Sequence, residues 1–562
     1  MTHPDGLTRD SLGTLVLALL QAFALWALHD AVKSGVWPAT DPAALPSLYL
    51  VVVVVPLTLW LLFAHRREPL LWIFVGALAA FLLWSGRYML EGVTGPVTAA
   101  TLDEEDAIAG YVLPLVVAWL IAIPILRVRL ETGRWQGNYP VLFRSAWRNV
   151  LTLAETALFT GVFWVLLALW AGLFSMLGID FFKVLFADPR FVYPATTFAT
   201  ALAVQLIGKS LRLIDGVLDQ LLGLLKWLAP LAGLIVVLFS IALLPKLPAL
   251  FASGEKVIDS AVLLALVALT LLLINAAYRD GETEPEYGRV LRQALRGVPP
   301  LLTLVALTAL ASVVIRTLDL GLTPSRYWGL VTAVFAVMLS AGYAAAALRS
   351  GPWLGDIRRV NFAIALALLA VLVVSLTPFA SPIRWSIAHQ VARATTPVSA
   401  DEREGALRFL RFDSGALGRR ALGSLAADSE RNVDPVLRAE AKRIEALQSK
   451  KTPPAADPTA TPARYAAWRS RLRILPEGSP VPAALEQALE REFKLGASEL
   501  DPGGNAPVPR LVFMDLTSDG TLDALLISGT LRGDPQLVRD YRAFLSEGEA
   551  WSAVRVGGSA RR

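Results

Sequence analysis

Residues 258–277 of the chain, IDSAVLLALVALTLLLINAA, decide its fold class. Asp259 is the only charged residue among them, and leucine, valine, isoleucine and alanine fill most of the other positions. A helix needs roughly 20 predominantly apolar residues to cross the hydrocarbon core of a bilayer. This stretch is therefore predicted to be a membrane-spanning helix.

Ten similar stretches surround it. The chain is 55% hydrophobic with a mean hydropathy of +0.54, which is too apolar for an ordinary soluble protein. The segment 191–208 is the most polar of the ten, because Pro194 and several threonines interrupt it. The predicted number of spans is eleven, or ten if this segment does not cross the membrane. The ten stretches are 11–29, 45–64, 69–86, 107–126, 153–177, 191–208, 227–244, 298–315, 324–348 and 360–378.

Charged residues concentrate in the last third of the chain. Residues 384–562 hold 26 of the 52 lysines and arginines and 23 of the 47 aspartates and glutamates. We therefore predict an α-helical polytopic membrane protein of about eleven spans with a C-terminal soluble α+β domain. The predicted parts are a transmembrane domain over 1–383, a helical extramembrane segment over 384–450, a proline-rich linker over 451–462 and a small α+β module over 463–562.

The loops between the spans predict the orientation. Lysine and arginine accumulate on the cytoplasmic side of a membrane. With the N-terminus inside, the cytoplasmic segments hold 18 of these residues and the opposite loops hold 8. Arg9 precedes the first span, and no cleavage site follows before Asp30, which predicts a retained signal anchor. An odd span count then predicts that the C-terminal domain lies in the periplasm of a bacterium. The lipid bilayer is itself a predicted partner of the chain.

Two segments near the cytoplasmic side are amphipathic at helical spacing. Residues 140–152 mix two arginines with apolar and aromatic residues, and in 211–226 aspartate and lysine interrupt a leucine-rich pattern. We predict that both lie at the membrane surface. The alternative is that each extends the neighbouring span.

Several functional classes are disfavoured by composition. The chain has no cysteine and only four scattered histidines, so thiolate chemistry and the common zinc and nucleophile motifs are not expected. The net charge of +5 is spread over both parts of the chain, which argues against nucleic acid as a partner. No cofactor is predicted apart from a weak calcium ion.

The calcium prediction rests on the sequence from Asp515 to Asp523. Oxygen-bearing side chains recur at alternate positions, and Gly520 allows the sharp bend that a calcium loop needs. The predicted ligands are Asp515, Thr517, Asp519 and Asp523. The bidentate glutamate of an EF-hand is missing, so affinity in the range of about 10⁻⁴–10⁻³ M is expected. The alternative is a polar hairpin turn in which Asp519-Gly520 supplies only the bend.

Two short segments resemble a known bacterial membrane family. They are Gly321-Leu-Thr-Pro-Ser-Arg-Tyr-Trp328 at the tenth predicted span, and Leu407-Arg-Phe-Leu-Arg-Phe-Asp413 after the last one. On these residues the chain resembles the "domain of unknown function 4153" group over most of its membrane part and the start of its soluble part. The resemblance implies an inner-membrane protein and supplies no mechanism.

One residue of the first segment is a candidate binding residue. Thr323 and Pro324 are typical of a helix start, and the aromatic pair after Arg326 is typical of a membrane interface. A cation at a helix N-terminus opposes the helix dipole. We therefore predict that Arg326 meets an acidic partner or an anionic ligand, the alternative being a plain surface arginine.

Three functional hypotheses follow. The first is a non-enzymatic envelope scaffold or sensor whose periplasmic domain binds an envelope protein or an ion. The second is a membrane glycosyltransferase that uses lipid-linked donors, with Asp30, Asp41 and the run Asp103 to Asp106 as the candidate acidic residues. The third is a transporter, for which an internal repeat is the expected sign.

Overall fold

The computed structural model describes residues 6–41, 43–88, 105–135, 139–209, 211–247, 259–279, 281, 287–349, 355–396, 400–427, 434–447, 462–500, 508–516, 521–528, 540–547 and 550–556. Contacts between residues divide the chain into two compact units, 1–446 and 447–562. Up to residue 446, the helical segment after residue 384 therefore belongs to the same unit as the long apolar helices. The proline-rich segment 451–461 lies outside the described residues.

The first unit is helical throughout its described part. Its helices are α1 Gly6–Ser34, α2 Ala44–Leu61, α3 Pro69–Ser85, α4 Glu105–Thr132, α5 Tyr139–Met176, α6 Phe181–Ala187, α7 Pro189–Lys209, α8 Leu211–Leu243, α9 Ser260–Tyr278, α10 Arg289–Leu320, α11 Pro324–Leu348, α12 Ile357–Ser375, α13 Pro382–Thr395, α14 Ala400–Phe412, α15 Gly415–Ala426 and α16 Pro435–Glu445.

Eleven of the described helices are long and apolar enough to cross a membrane, as predicted. They are α1 to α5 and α7 to α12, and they include α7, the segment that was most polar in sequence. Local sequence fixes where several of them begin. The side chain of Thr323 accepts a hydrogen bond from the amide of Arg326 at the start of α11, and Asp259 does the same for the amide of Ala261 at the start of α9.

The two amphipathic segments are extensions of spans. Residues 140–152 form the first turns of α5, and 211–226 form those of α8. With 38 residues, α5 is about 57 Å long, well beyond a hydrocarbon core of about 30 Å. Arg148 and Asp215 join the two extensions in a bidentate ion pair with a contact of 2.6 Å from Nε to Oδ1.

The largest core of the first unit surrounds α9. Of the eleven candidate spans α9 is the most enclosed, because 56% of the residues in its most apolar stretch are buried. Its buried side chains, among them Leu263, Val267 and Ile274, pack against α8, α10 and α11. Most other spans leave leucine and valine exposed, as expected of helices that face lipid.

The second unit has a five-stranded sheet packed with two helices. The helices are α17 Pro462–Arg471 and α18 Ala483–Leu500, and the strands are β1 Arg473–Leu475, β2 Arg510–Met514, β3 Asp523–Ser528, β4 Asp540–Glu547 and β5 Ala550–Val556. The strand order follows the chain, with β1 parallel to β2 and the other pairs antiparallel. This small sheet agrees with the predicted α+β module.

Aromatic packing and one ion pair join the two helices of this unit. Trp468 is fully buried, and its Nε1 donates to the Leu500 carbonyl at 3.1 Å. Glu486 accepts hydrogen bonds from Tyr465 and from Arg469, at 2.7 and 2.9 Å. Burial raises the pKa of the Glu486 carboxyl, but the bonds from Arg469 and Tyr465 outweigh that effect and lower the pKa below its ordinary value.

Candidate functional site

Arg326, the candidate binding residue, lies beside the C-terminal end of the preceding helix. Its Nη1 donates to the carbonyl of Leu320 at 3.1 Å and to the carbonyl of Gly321. The last carbonyls of a helix have no partner within the helix and carry partial negative charge. Arg326 therefore contacts the C-terminus of α10, whereas the sequence predicts an acidic partner or an anionic ligand. A ligand for this residue stays a prediction.

Helix α13 supplies further donors to the same helix end. Arg393 donates to the carbonyls of Leu318 and Asp319, each at 2.7 Å. Gln390, which is 3% exposed, donates to the carbonyl of Leu322 at 3.1 Å. We call Arg326, Gln390 and Arg393, with the carbonyls they bind, the α10 cap.

The backbone after α10 has to turn sharply for these donors to reach it. Gly321 has a φ of 77°, a conformation that favours glycine. A Cβ at this position would lie 2.5 Å from Nε2 of Gln390, so any larger residue would displace the donor. Gly321 is the first residue of the family segment, but no local pattern in the sequence indicates this role.

A histidine completes the contact between α13 and the turn. The amide of Leu322 donates to Nδ1 of His389 at 3.3 Å, which requires the unprotonated form of that nitrogen. Burial, followed by the nearby positive charge of Arg393, lowers the pKa of His389 below its ordinary value. Arg393 also lies 3.7 Å from a carboxylate oxygen of Glu402 on α14. The α10 cap thus ties a candidate span to the first two helices that follow the last span.

Polar side chains of four helices form a second cluster. Asn361 Nδ2 donates to Asn275 Oδ1 at 2.8 Å and to the Tyr139 hydroxyl at 2.9 Å, and its Oδ1 accepts from the Tyr343 hydroxyl at 2.6 Å. We call these four residues the amide network. The two asparagines are 86 positions apart in the sequence, and only the fold brings them together.

The side-chain amides of Asn275 and Asn361 both find hydrogen-bond partners within the protein. Asn275 also contacts the Tyr343 hydroxyl, which is fully buried, and the carbonyl of Leu271. Interhelical hydrogen bonds in membranes contribute about 0.6 kcal/mol on average and up to about 1.7 kcal/mol. The arrangement suits fixing the relative positions of α5, α9, α11 and α12.

The predicted calcium loop is described only at its two ends. Asp523 is 1% exposed, and its two carboxylate oxygens accept from the amides of Leu516 and Ser546, both at 2.9 Å. Its carboxylate therefore helps to hold β3 to its neighbours. Thr517 and Asp519 lie outside the described residues, and within the described ranges no group of three or more potential ligand side chains is found. The calcium site stays a prediction.

The carboxylates proposed for a transferase lie in different surroundings. Asp41 accepts from the amides of Ala43 and Ala44, at 2.8 and 3.2 Å, and so caps the start of α2. Asp30 is exposed at the end of α1. Residues 103 and 104 lie outside the described residues.

Comparisons with protein-family models, with curated proteins and with solved structures find no match to this chain.

Proposed function

We propose that this chain is a non-enzymatic scaffold or sensor of the bacterial inner membrane, whose C-terminal unit binds an envelope protein in the periplasm. The observation that carries the proposal is the α10 cap. Gln390 and Arg393 of α13 hold the end of a candidate span through backbone carbonyls, so the helices after the last span are joined to the membrane helices by several hydrogen bonds. Such a junction can pass a movement of the helices that follow the last span to the spans themselves, as a sensor needs, or hold these helices in a fixed position, as a scaffold needs.

Contacts between helix ends support eleven alternating crossings. Arg127 donates to the carbonyl of Leu61 at 2.6 Å, and both lie at ends assigned to the cytoplasm. His29 and Tyr193 share a contact of 3.2 Å, and the rings of Trp84 and Phe379 lie 6.3 Å apart, all at ends assigned to the opposite side. The excess of lysine and arginine then gives the direction, with the N-terminus in the cytoplasm.

The family resemblance belongs to the same proposal. Residues 321–328 include Gly321 and Arg326, both of which build the α10 cap, and residues 407–413 fall in α14 and the turn after it. Helix α14 packs against α13, which supplies Gln390 and Arg393 of the α10 cap, so both segments lie in the region where the last spans meet the following helices. We therefore propose membership of the "domain of unknown function 4153" group on this basis.

The rival hypotheses draw less support from the described residues. A glycosyltransferase of this kind needs a carboxylate that faces its substrate, and Asp41 is engaged by the amides of Ala43 and Ala44, which leaves Asp30 as the exposed candidate in the described part of α1. A transporter needs polar groups that face a pathway for the solute. Asn275 and Asn361 bond instead to each other and to tyrosines.

A photo-crosslinking experiment in intact cells tests the proposal. A photoreactive amino acid at Met514 or Leu522, which are 42% and 63% exposed in the second unit, should give one discrete protein adduct. The same probe at Leu158, which is 68% exposed on α5, serves as the matched control and should give no such adduct.

A second assay addresses the enzymatic alternative. The purified protein is incubated with a lipid-linked sugar donor and candidate acceptors, beside an Asp41→Asn variant. Transfer by the wild type that the variant loses would overturn the non-enzymatic proposal. Absence of any adduct from both positions of the second unit would remove the proposed protein partner.

A further inference from the structure

A groove runs between α5 and α6 near the end of a candidate span. Its volume is about 570 Å³, and one wall is the last three turns of α5, whereas the other is the short helix α6. Small residues, Ala168, Ala171 and Gly172, form its floor, and Lys183 of α6 lines it as well. No heavy atom lies within 4 Å of the position that a Cβ on Gly172 would occupy, so the floor is open there.

Aromatic contacts hold α6 in place against α5. The ring of Phe182 lies 4.7 Å from that of Phe174 and 5.1 Å from that of Trp170. Phe186 lies 5.1 Å from Phe191 at the start of α7. Helix α6, which forms one wall of the groove, is therefore held by ring contacts with both α5 and α7.

The surface around the groove is apolar and exposed. Leu169 and Leu173 of α5 are 58% and 63% exposed, and Val184 of α6 is 69% exposed. In a helix that crosses a membrane, such a surface is covered by lipid chains. A groove with small residues on its floor lets an acyl chain approach the helix backbone more closely than the surrounding leucines do.

Among the described residues that line this groove, Lys183 is the only one with a charged side chain. In the described part of the chain, none of the ion pairs involves it. The neighbouring carboxylates have donors of their own, because Asp180 accepts from the hydroxyl of Ser175 at 2.6 Å and Asp188 accepts from the amide of Arg190 at 2.8 Å. A lysine at the edge of an apolar surface extends its ammonium toward the headgroup layer and attracts phosphate.

We propose that this groove binds one anionic phospholipid, with an acyl chain along Ala168 and Gly172 and the phosphate at the ammonium of Lys183. A single cation is neutralised by a lipid that carries one net negative charge. A zwitterionic lipid brings its own ammonium, which competes with Lys183 for the phosphate, so phosphatidylglycerol should bind better than phosphatidylcholine with the same chains.

Native mass spectrometry of the full chain in detergent micelles tests this, with phosphatidylglycerol and phosphatidylcholine as probes. Lys183→Gln should weaken phosphatidylglycerol binding about fivefold and leave phosphatidylcholine almost unchanged. Lys183→Arg should restore most of the preference. The matched control is Lys246→Gln, another exposed lysine at a helix end that the orientation argument places on the same side, and it should bind as the wild type does.

A second variant separates the acyl chain from the headgroup. Gly172→Leu fills the floor and should weaken both lipids to a similar degree, since it blocks the chain and leaves Lys183 in place. Size-exclusion profiles show which variants fold, and if Gly172→Leu does not, the two Lys183 variants still decide the question.

Three results would overturn the proposal. The first is equal binding by Lys183→Gln and Lys246→Gln. The second is displacement of phosphatidylglycerol by an equal concentration of glycerol 3-phosphate, which would mean that phosphate alone is recognised. The third is full lipid binding by a folded Gly172→Leu variant.

Discussion

Replacing Glu492 with alanine should strongly destabilise the C-terminal unit. Arg542 of β4 is 0% exposed, and its Nη1 lies 3.0 Å from a carboxylate oxygen of Glu492 on α18. The same nitrogen lies 3.3 Å from the backbone carbonyl of Glu492, which remains in the variant. The substitution therefore removes a carboxylate that pairs with the buried guanidinium, whereas the bond to the backbone carbonyl remains.

The expected loss is a large part of the stability of such a unit. Removing one partner of a buried ion pair costs about 3–5 kcal/mol, because the remaining charge is left in a poorly solvating environment. Domains are stable by only about 5–15 kcal/mol. With roughly 4 °C or more per kcal/mol for a domain of about 100 residues, the melting temperature should fall by at least about 12 °C.

The assay uses the isolated unit, residues 447–562, in thermal and urea melts followed by circular dichroism. This fragment should be soluble and fold alone, because it is a compact unit with its own core. Glu477→Ala, at an exposed glutamate in the turn before α18, is the matched control and should change stability by less than about 0.5 kcal/mol. The double variant Glu492→Met with Arg542→Met should recover much of the loss, since apolar replacements of buried ion pairs are well tolerated.

A loss of less than about 1 kcal/mol in Glu492→Ala would refute the reasoning about the buried pair. Aggregation of the wild-type fragment in every detergent-free buffer would refute the boundary at residue 447 instead.

Three other predictions concern the rest of the chain. Reporters fused after Arg67, after Asp106 and after Ala400 should read cytoplasm, periplasm and periplasm, and phosphatase silence at the last position would contradict the odd span count. Asn361→Leu should lower the melting temperature of the full chain in detergent, by the equivalent of about 1–2 kcal/mol from lost interhelical bonds, and an unchanged melt would contradict a stabilising amide network. Calcium at about 100 times its dissociation constant should stabilise the isolated C-terminal unit by about 2.7 kcal/mol and Asp519→Ala should abolish this, whereas equal melting in calcium and chelator would leave only a hairpin turn.

The sequence by itself determined features that depend on neighbouring residues. The eleven apolar stretches predict the eleven candidate spans, because the length and hydrophobicity of a helix are properties of contiguous residues. The pairs Thr323-Pro324 and Asp434-Pro435 are each typical of a helix start, and α11 and α16 begin there, since a cap and its amide are only two or three residues apart. The break between α14 and α15 falls at residues 413–414, and Gly415 after it has a φ of 64°, a backbone conformation that favours glycine.

Three of the five strands follow from the local sequence, and the other two depend on the fold. The segments that became β2, β3 and β5 each carry an apolar run that favours a strand. Strand β1 has only three residues and depends on its parallel partner β2. Strand β4 places Arg542 toward the core, so its hydrophobic pattern is broken at the residue whose burial depends on Glu492 of another element.

Only the tertiary structure decided the partners of the polar residues. Arg326 meets the carbonyls of the preceding helix, Arg393 reaches Leu318 across 75 positions, and Asn275 meets Asn361 across 86. Such pairs bring together residues that are distant in the chain, so no local pattern specifies them. The physical reason is that a buried polar group is stabilised by whichever partner the packing of helices places within hydrogen-bond distance.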